Sequence, residues 1–353
     1  MIGLLALLAA QAAAVPAAKS WPTHEQDIVL KDFHFRDGES LPQLKMHVTT
    51  LGAPHRNTAG QIDNAVMVLH GTGGDGNQFL RSQFADELYG PGQPLDIHKY
   101  WVILPDNIGH GQSSKPSDGM RMHFPKYDYD DMVEAQYRML TEGLGIRHMR
   151  LIMGTSMGCM HSFLWGEAHP DFMSALMPLA CEPIEIAGLN RMWRQMVIDA
   201  IEKDPTWQNG NYSREPQQGL RTAESILFIA GGAPLYLQNT YPTREAAKAY
   251  VEKTVDAGIE HLDANDTIYQ FDSSRNYNPW PNLEKITAPL TWINSADDFI
   301  NPRNLRVPQE AVKRMKKAKF RLIPESADTH GHGTHTWAKF WKADLSALLA
   351  RSE

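Results

Sequence analysis

Residues 151–170 read LIMGTSMGCMHSFLWGEAHP, and this stretch decides the fold. Its apolar start is typical of a buried strand, and the apolar residues that follow recur at helical spacing up to Pro170. Ser156 lies at the turn between the two, with Gly154 and Gly158 two residues away on either side. A nucleophilic serine in such a turn needs small neighbours there, because larger side chains would collide with strand or helix. The stretch therefore predicts a nucleophile elbow.

The length and composition are those of an ordinary globular protein. The 353 residues suffice for one large domain, or for one domain with an insertion. Hydrophobic residues make up 42% of the chain and charged residues 21%, which predicts a sizeable core. The formal net charge of −7 argues against nucleic acid as a partner.

The N-terminus reads MIGLLALLAAQAAAVPAA over residues 1–18. A short apolar stretch followed by small residues is typical of a signal peptide, although the basic residues that usually precede it are missing. We therefore expect an exported protein, periplasmic or secreted, that is cleaved between Ala14 and Ala18. Because the apolar run is too short to span a bilayer comfortably, we expect no stable membrane insertion after cleavage. An uncleaved anchor or a misassigned start codon is the alternative.

Short apolar runs alternate with helical patterns along most of the chain. Strands are predicted at residues 27–35, 44–51, 65–70, 100–105, 151–153, 175–180, 289–294 and 319–323. Helices are predicted at residues 78–89, 128–144, 192–201, 244–257, 306–315 and 336–350, and from the turn at Ser156 to near Pro170. This alternation predicts an α/β fold with a mostly parallel sheet, helices on both faces and two antiparallel strands at the start.

The alternation stops between residues 183 and 287, which contain helical patterns, many aromatic residues and no clear buried strand. We interpret this segment as an inserted helical lid over the carboxyl ends of the strands, where open α/β sheets bind ligands. The core domain would then comprise residues 19–182 and 288–353.

A serine nucleophile needs a general base and an acid that orients the base. In a strand–elbow–helix layout, the acid follows a later strand and the histidine follows the last one. Asp297 and Asp298 both follow the predicted strand 289–294. We favour Asp298, because the apolar residues after it then fall where such a turn usually packs them, and we expect Asp297 to stabilise the loop.

Three histidines compete for the role of base, namely His330, His332 and His335. We favour His332, because a glycine on each side leaves room for the imidazole above the strand ends. The same three residues could also suggest a metal site, but no cysteine or carboxylate lies at a suitable spacing. We therefore expect neither a metal nor a cofactor.

The negative charge that develops on the substrate oxygen needs two preorganised backbone donors. One should be the amide of Met157, at the start of the elbow helix. The other should come from the loop after strand 65–70, where Thr72 is the natural donor. We expect His70 to be structural and to hydrogen-bond this loop.

The chain has two cysteines, Cys159 after the elbow and Cys181 after the next strand. Two cysteines are not a disulfide framework. We expect two buried free thiols, with a disulfide between them as the alternative.

The order of these motifs resembles the α/β-hydrolase superfamily. The motifs are His70-Gly71, NIGHGQS at residues 107–113, GTSMG at residues 154–158, Asp298 and His332. Three further stretches are similar to the homoserine O-acetyltransferase-like branch: YDDMVEAQ at residues 129–136 with LGI at 144–146, the elbow with Met160 and Trp165, and DPTWQNGNY at residues 204–212. The resemblance covers about residues 40–345. It implies an acyl-serine intermediate on Ser156, resolved by homoserine or by water.

These observations predict a serine hydrolase that cleaves a carboxylic ester or a similar small acyl compound. The alternative is an acyl-CoA-dependent O-acyltransferase, for which Arg191, Arg194 and Arg221 could contact the phosphates of coenzyme A. A binding protein without activity is a third hypothesis, which the intact serine, acid and histidine argue against. The resemblance also suggests a homodimer.

Overall fold

A computed structural model describes residues 20–352, so the predicted signal peptide lies outside the described residues. Eight strands form one sheet: β1 (His24–His34), β2 (Ser40–Leu51), β3 (Ala65–Leu69), β4 (Trp101–Pro105), β5 (Leu151–Thr155), β6 (Leu176–Leu179), β7 (Leu290–Ser295) and β8 (Ala318–Ile323). All eight were predicted, with boundaries that differ by a few residues. The five residues of β3 are all buried, and so are those of β4 and β5, because these strands lie inside the sheet.

The sheet order is β1-β2-β4-β3-β5-β6-β7-β8. Strand β2 runs antiparallel to both β1 and β4, and the strands from β4 through β3 to β8 run parallel. The predicted fold is therefore confirmed. The parallel strands end at the same edge, so the loops after β3, β5, β7 and β8 are brought together there.

Ten α-helices accompany the strands in residues 20–352. They are α1 (Ser82–Leu88), α2 (Tyr129–Arg138), α3 (Met157–Ala168), α4 (Gly188–Glu202), α5 (Gln217–Gly231), α6 (Pro234–Thr240), α7 (Arg244–Ile259), α8 (Ala264–Asp272), α9 (Val307–Arg314) and α10 (Lys342–Arg351). Two predicted helices are broken. Residues 78–89 split at Arg81, whose backbone is extended, and residues 336–350 split into short 3₁₀ turns followed by α10.

Helices cover both faces of the sheet. On one face, α3 contributes Phe163 and Trp165 to a large apolar cluster that also contains Trp292 of β7. On the other face, α1 and α10 pack Phe84 and Leu345 against the sheet. Helices α4–α8 lie between β6 and β7 in the chain, and α4, α5 and α8 share a separate apolar cluster.

The two cysteines form a disulfide, so the expectation of free thiols is wrong. Cys159 lies in the first turn of α3 and Cys181 follows β6, which is paired with β5. Their Cα atoms are therefore only 5.8 Å apart. The bond ties the elbow helix to the end of the neighbouring strand.

Among residues 20–352, no helix is long and apolar enough to cross a membrane.

Candidate active site

Ser156 occupies the turn between β5 and α3 in a strained backbone conformation, with φ 56° and ψ −109°. Its amide donates a hydrogen bond of 2.8 Å to the carbonyl of Leu179, which anchors the turn to β6. A Cβ atom at Gly154 would collide with the carbonyl oxygen of Gly158, and one at Gly158 with that of Leu69. The two glycines of the elbow motif are therefore required by close backbone approach.

Ser156, His332 and Asp298 form a continuous chain of hydrogen bonds. The Oγ atom of Ser156 lies 2.8 Å from Nε2 of His332, and Nδ1 of His332 lies 2.8 Å from Oδ2 of Asp298. Because an ionised carboxylate only accepts hydrogen bonds, Nδ1 carries the proton and Nε2 can accept the proton of Ser156.

Asp298 is almost fully buried, with 3% of its surface exposed. Burial alone would raise the pKa of this carboxyl. The charge and the hydrogen bond of His332, together with hydrogen bonds from Asn301 and Ile300, have the larger effect, so the pKa of Asp298 is lowered. The amide of Ile300 and the side chain of Asn301 donate bonds of 2.8 and 2.9 Å. Asp298 is therefore held as a carboxylate.

The neighbouring Asp297 has different partners. It accepts hydrogen bonds from the hydroxyls of Ser295 and Thr329 and from the amide of Gly331. The last two belong to the loop after β8, so Asp297 holds the segment that carries His332.

The other two histidines of this loop do not contact Ser156. His330 stacks on Trp337, with ring centroids 4.3 Å apart. His335 bonds the carbonyl of His332 through Nδ1, and burial lowers the pKa of its imidazole to about 3. In the described part of the chain, no cluster of histidine, cysteine or carboxylate side chains could hold a metal ion.

Neither the amide of Thr72 nor that of Met157 donates a hydrogen bond to an acceptor within residues 20–352. The loop of Thr72 approaches Ser156 closely, because a Cβ atom on Gly71 would lie 3.3 Å from Cβ of Ser156. Both amides are therefore free to donate to a substrate oxygen.

A buried polar network supports the Thr72 loop. The predicted hydrogen bond of His70 to this loop is confirmed, whereas the contacts that extend the network to Asn107, Gln136 and His161 were not predicted. Nδ1 of His70 bonds the carbonyl of Gly71, while Nε2 accepts from the amide and the side chain of Asn107. Gln136 donates to Asn107 and lies 3.1 Å from Nδ1 of His161. Burial lowers the pKa of His70, so its ring stays neutral and keeps one tautomer.

Two cavities adjoin the site. The larger one, of about 610 Å³, is lined by Thr72, His330 and residues of α5–α8. The smaller one, of about 50 Å³, is lined by Ser156 together with Glu182 and Arg194. Glu182 was not predicted as part of the site, and its only signal in the sequence is its place in the loop that follows β6.

The three arginines expected at coenzyme A phosphates do not form one basic surface. Arg194 is buried, with 2% of its surface exposed, and lines the smaller cavity. Arg221 is exposed and paired with Asp256 of α7. Arg191 has a buried nitrogen, Nη1, without a partner in residues 20–352.

Comparisons with known proteins agree with this fold. The family model described as alpha/beta hydrolase fold matches residues 64–343. A probable acyltransferase of Methanothermobacter thermautotrophicus is 30% identical over 284 residues, covering 79% of this chain and 84% of that protein. A homoserine O-acetyltransferase of Solidesulfovibrio magneticus is 30% identical over 294 residues, covering 76% of this chain and 70% of that protein.

Solved structures show the same fold at lower identity. The homoserine O-acetyltransferase of Bacillus anthracis superposes with a TM-score of 0.80 at 21% identity. The acetyl esterase MekB also superposes with a TM-score of 0.80, at 22% identity. Each match covers 93% of this chain and 97% of the other.

The relatives overturn the prediction of export. Three relatives, which match over 76%, 84% and 87% of this chain, are homoserine O-acetyltransferases, which are cytoplasmic biosynthetic enzymes. The prediction of a periplasmic or secreted protein is therefore wrong. It rested on residues 1–18 alone, where a short apolar stretch without basic residues is a weak signal.

Proposed function

The chain belongs to the α/β-hydrolase superfamily and to its homoserine O-acetyltransferase-like branch, and on this premise we propose that it is a serine hydrolase. Enzymes of this branch cleave esters or transfer acyl groups. The proposed reaction is cleavage of a carboxylic ester through an acyl-serine intermediate on Ser156. The observation that carries it is the hydrogen-bonded chain from Ser156 through His332 to Asp298.

In the first half of the reaction, Oγ of Ser156 attacks the ester carbonyl while Nε2 of His332 takes the hydroxyl proton. The C–O bond to the alcohol then breaks, and His332 gives the proton to the departing alkoxide. Asp298 holds the imidazole in the required tautomer and stabilises its positive charge. The amides of Thr72 and Met157 donate to the carbonyl oxygen as it becomes negative.

In the second half, a water molecule replaces the alcohol. His332 takes one proton from this water as its oxygen attacks the acyl-serine carbonyl. The bond to Oγ of Ser156 breaks, Oγ regains the proton from His332, and the carboxylic acid leaves.

We propose that helices α4–α8 act as a lid over Ser156. Helix α4 supplies Asn190 and Arg194 to the smaller cavity, and α8 supplies Gln270 to the larger one. Such a cover would limit the access of bulk water to the acyl-serine.

Acyl transfer from a thioester of coenzyme A is the second candidate, and the names of the relatives favour it. The arginines argue for hydrolysis, because Arg194 is buried and Arg221 is paired with Asp256. In both reactions Ser156 is acylated, and they differ only in whether water or an alcohol accepts the acyl group.

The test is turnover of p-nitrophenyl acetate with and without a panel of alcohols that includes homoserine. Hydrolysis in water that alcohols do not accelerate supports the hydrolase. Formation of acylated alcohol in place of acetate would favour transfer. Ser156→Ala should abolish either reaction, and Ser162→Ala, on the same helix but away from the hydrogen-bonded chain, is the matched control.

A further inference from the structure

The disulfide between Cys159 and Cys181 lies beside the nucleophile. Cys159 follows Ser156 by three positions, in the first turn of α3, and it has no exposed surface. Cys181 is 2% exposed and lines the smaller cavity together with Ser156. The chain has no other cysteine that could exchange with this bond. Any exchange therefore needs a thiol from outside the chain, which would enter through the smaller cavity.

The end of β6, which the disulfide holds, contacts both the nucleophile and the acid. The carbonyl of Leu179 accepts a hydrogen bond of 2.8 Å from the amide of Ser156. The carbonyl of Ala180 accepts one of 3.0 Å from Nδ2 of Asn301. The same nitrogen donates to Oδ2 of Asp298 at 2.9 Å. A displacement of this short segment would therefore reach Ser156 through one hydrogen bond and Asp298 through two.

The backbone at Ala180 is strained, with φ 67°. A residue other than glycine keeps this left-handed conformation only where its surroundings hold it. The amide of Ala180 donates to the carbonyl of Ile293 at 2.9 Å. The carbonyl of Cys181 accepts from the side chains of Trp292 and Asn294 at 3.0 and 3.2 Å. These bonds all come from β7, so the disulfide is what holds the strained segment to the elbow helix.

The setting of the bond favours a redox role over a static cross-link. Disulfides that form in a reducing compartment, such as that of the cytoplasmic relatives, are usually redox-sensing or catalytic. A disulfide that is reached from a cavity can exchange with a small thiol. Because this cavity is the one beside the nucleophile, the state of the bond would be transmitted to the site over a short distance.

We propose that the Cys159–Cys181 disulfide is a redox-sensitive positioning element, which keeps Ser156 and Asp298 in place when oxidised and lowers kcat when reduced. Both cysteines act through the end of β6 and take no part in the ester chemistry. A misplacement of about 1 Å at a reacting group can cost about 10²-fold in rate, so we expect reduction to lower kcat by about 10- to 10²-fold. This inference rests on the proposed ester hydrolysis at Ser156.

The exchange needs a small thiol reductant, of the class of dithiothreitol or glutathione. Its thiolate attacks Sγ of Cys181, which faces the cavity, and the bond between the cysteines breaks as the thiolate of Cys159 leaves. A second thiol then attacks the sulfur of the bound reductant, which forms the disulfide of the reductant and releases Cys181. Two electrons and two protons pass from the reductant to the two cysteines.

The first experiment compares the two redox states of the full chain. The protein is incubated with dithiothreitol without denaturant, desalted in the absence of oxygen, and assayed with p-nitrophenyl acetate. Its thiols are counted in parallel with a chromogenic disulfide reagent. We expect two free thiols in place of none, a kcat lowered by about 10- to 10²-fold and a much smaller change in KM. Oxidised glutathione should then remove both thiols and restore kcat.

Three kinds of result would overturn the inference. Two free thiols with an unchanged kcat would mean that the bond does not position the site. No free thiols after reduction of the folded protein would mean that the bond is not redox-sensitive. A loss of kcat that oxidised glutathione does not restore, or that comes with a loss of far-ultraviolet circular dichroism, would assign the disulfide to folding alone.

A double variant separates the bond from the reagent. Cys159→Ala combined with Cys181→Ala should have the kcat of the reduced enzyme and should respond to neither dithiothreitol nor oxidised glutathione. Ser162→Ala, on the same helix, is the matched control and should respond to reduction as the wild type does. A double variant with the wild-type kcat would contradict the inference. The first experiment uses the unmodified chain, so the test does not depend on the folding of this variant.

Labelling of Ser156 by a fluorophosphonate distinguishes this inference from the proposed function. We expect labelling in both redox states, slower in the reduced one by about 10- to 10²-fold. Equal labelling rates in the two states would overturn the inference and leave the hydrolase intact. Absence of labelling and of turnover in the oxidised enzyme would instead refute the proposed hydrolase.

Discussion

Asp297 and Asp298 are neighbours in sequence, yet their carboxylates have different tasks at the same site. Asp298 accepts the hydrogen bond of Nδ1 of His332, whereas Asp297 accepts bonds from Thr329 and Gly331, which precede His332. Asp298 thus orients the imidazole of His332, and Asp297 holds the backbone segment that precedes His332. This division predicts different consequences for two otherwise identical substitutions.

Asp298→Asn should lower kcat by about 10³- to 10⁴-fold, because an amide in this place favours the wrong tautomer of His332. Asp297→Asn should lower kcat much less and should lower the free energy of unfolding by about 1–3 kcal/mol, since it leaves buried donors without their acceptor. Steady-state kinetics and urea unfolding of both variants check this. A larger loss of kcat in Asp297→Asn would reverse the assignment.

Thr72→Pro removes one backbone donor from the proposed oxyanion site. We expect kcat to fall by about 10²- to 10³-fold, the usual effect of losing one such donor. Thr72→Ala is the matched control, because it keeps the amide and removes only the side chain, whose Oγ1 has no partner in the described structure. If both variants lose activity equally, the side chain of Thr72 and not its amide is needed.

Gln136→Leu tests the buried network below the Thr72 loop. Gln136 accepts a bond of 2.6 Å from Trp165 and contacts both Asn107 and His161, so leucine would leave three buried polar groups unsatisfied. We expect the free energy of unfolding to fall by about 2–4 kcal/mol, together with a lower kcat as the loop of His70 loosens. Gln195→Leu, at an exposed glutamine, should change neither quantity. Unchanged stability of Gln136→Leu would show that the network is not needed.

The raised pKa of Glu182 makes stability depend on pH with a defined sign. The unfolded carboxyl loses its proton at about pH 4.5, whereas in the folded state burial and the charge of Asp298 keep it protonated up to about pH 9. Between these values the folded state holds one proton more, so this group makes stability fall as pH rises. Asp298 and the side chain of Asn294 act on this carboxyl, Arg194 and Glu185 line the same cavity, and the hydroxyl of Tyr277 donates to the backbone carbonyl of Glu182.

Glu182→Gln cannot ionise, so its stability relative to the wild type should grow between about pH 5 and pH 9. We expect a gain of at least about 1 kcal/mol across this range, measured by urea unfolding at several pH values. Glu185→Gln, at an exposed acid of the same loop, should follow the wild type. Parallel curves for Glu182→Gln and the wild type would mean that Glu182 is ionised in the folded protein.

The parts of this molecule that depend on local pattern could be predicted from the sequence. Buried apolar runs predicted the strands. The spacing of Gly154, Ser156 and Gly158 predicted the elbow, because the turn itself brings the backbone close to the residues two positions before and after Ser156. The order of strands then brought Asp298 and His332 to the same edge of the sheet. The expected homodimer stays a prediction.

The remaining features depend on contacts between distant segments. Arg194 could not be distinguished from a surface arginine, because its burial depends on how α4 packs against Ser274 and Phe271. The disulfide depends on the pairing of β5 with β6, which brings Cys159 and Cys181 together. The helix break at Arg81 has no strong signal in the sequence, since no glycine or proline occurs there.

The most direct test of the central claim is to identify the residue that becomes covalently modified. The protein would be treated with a fluorophosphonate, digested and mapped by mass spectrometry, alongside ester turnover of the Ser156→Ala variant. We predict modification at Ser156 alone, and loss of both modification and turnover in the variant. Modification at another residue, or turnover that persists in Ser156→Ala, would contradict the account.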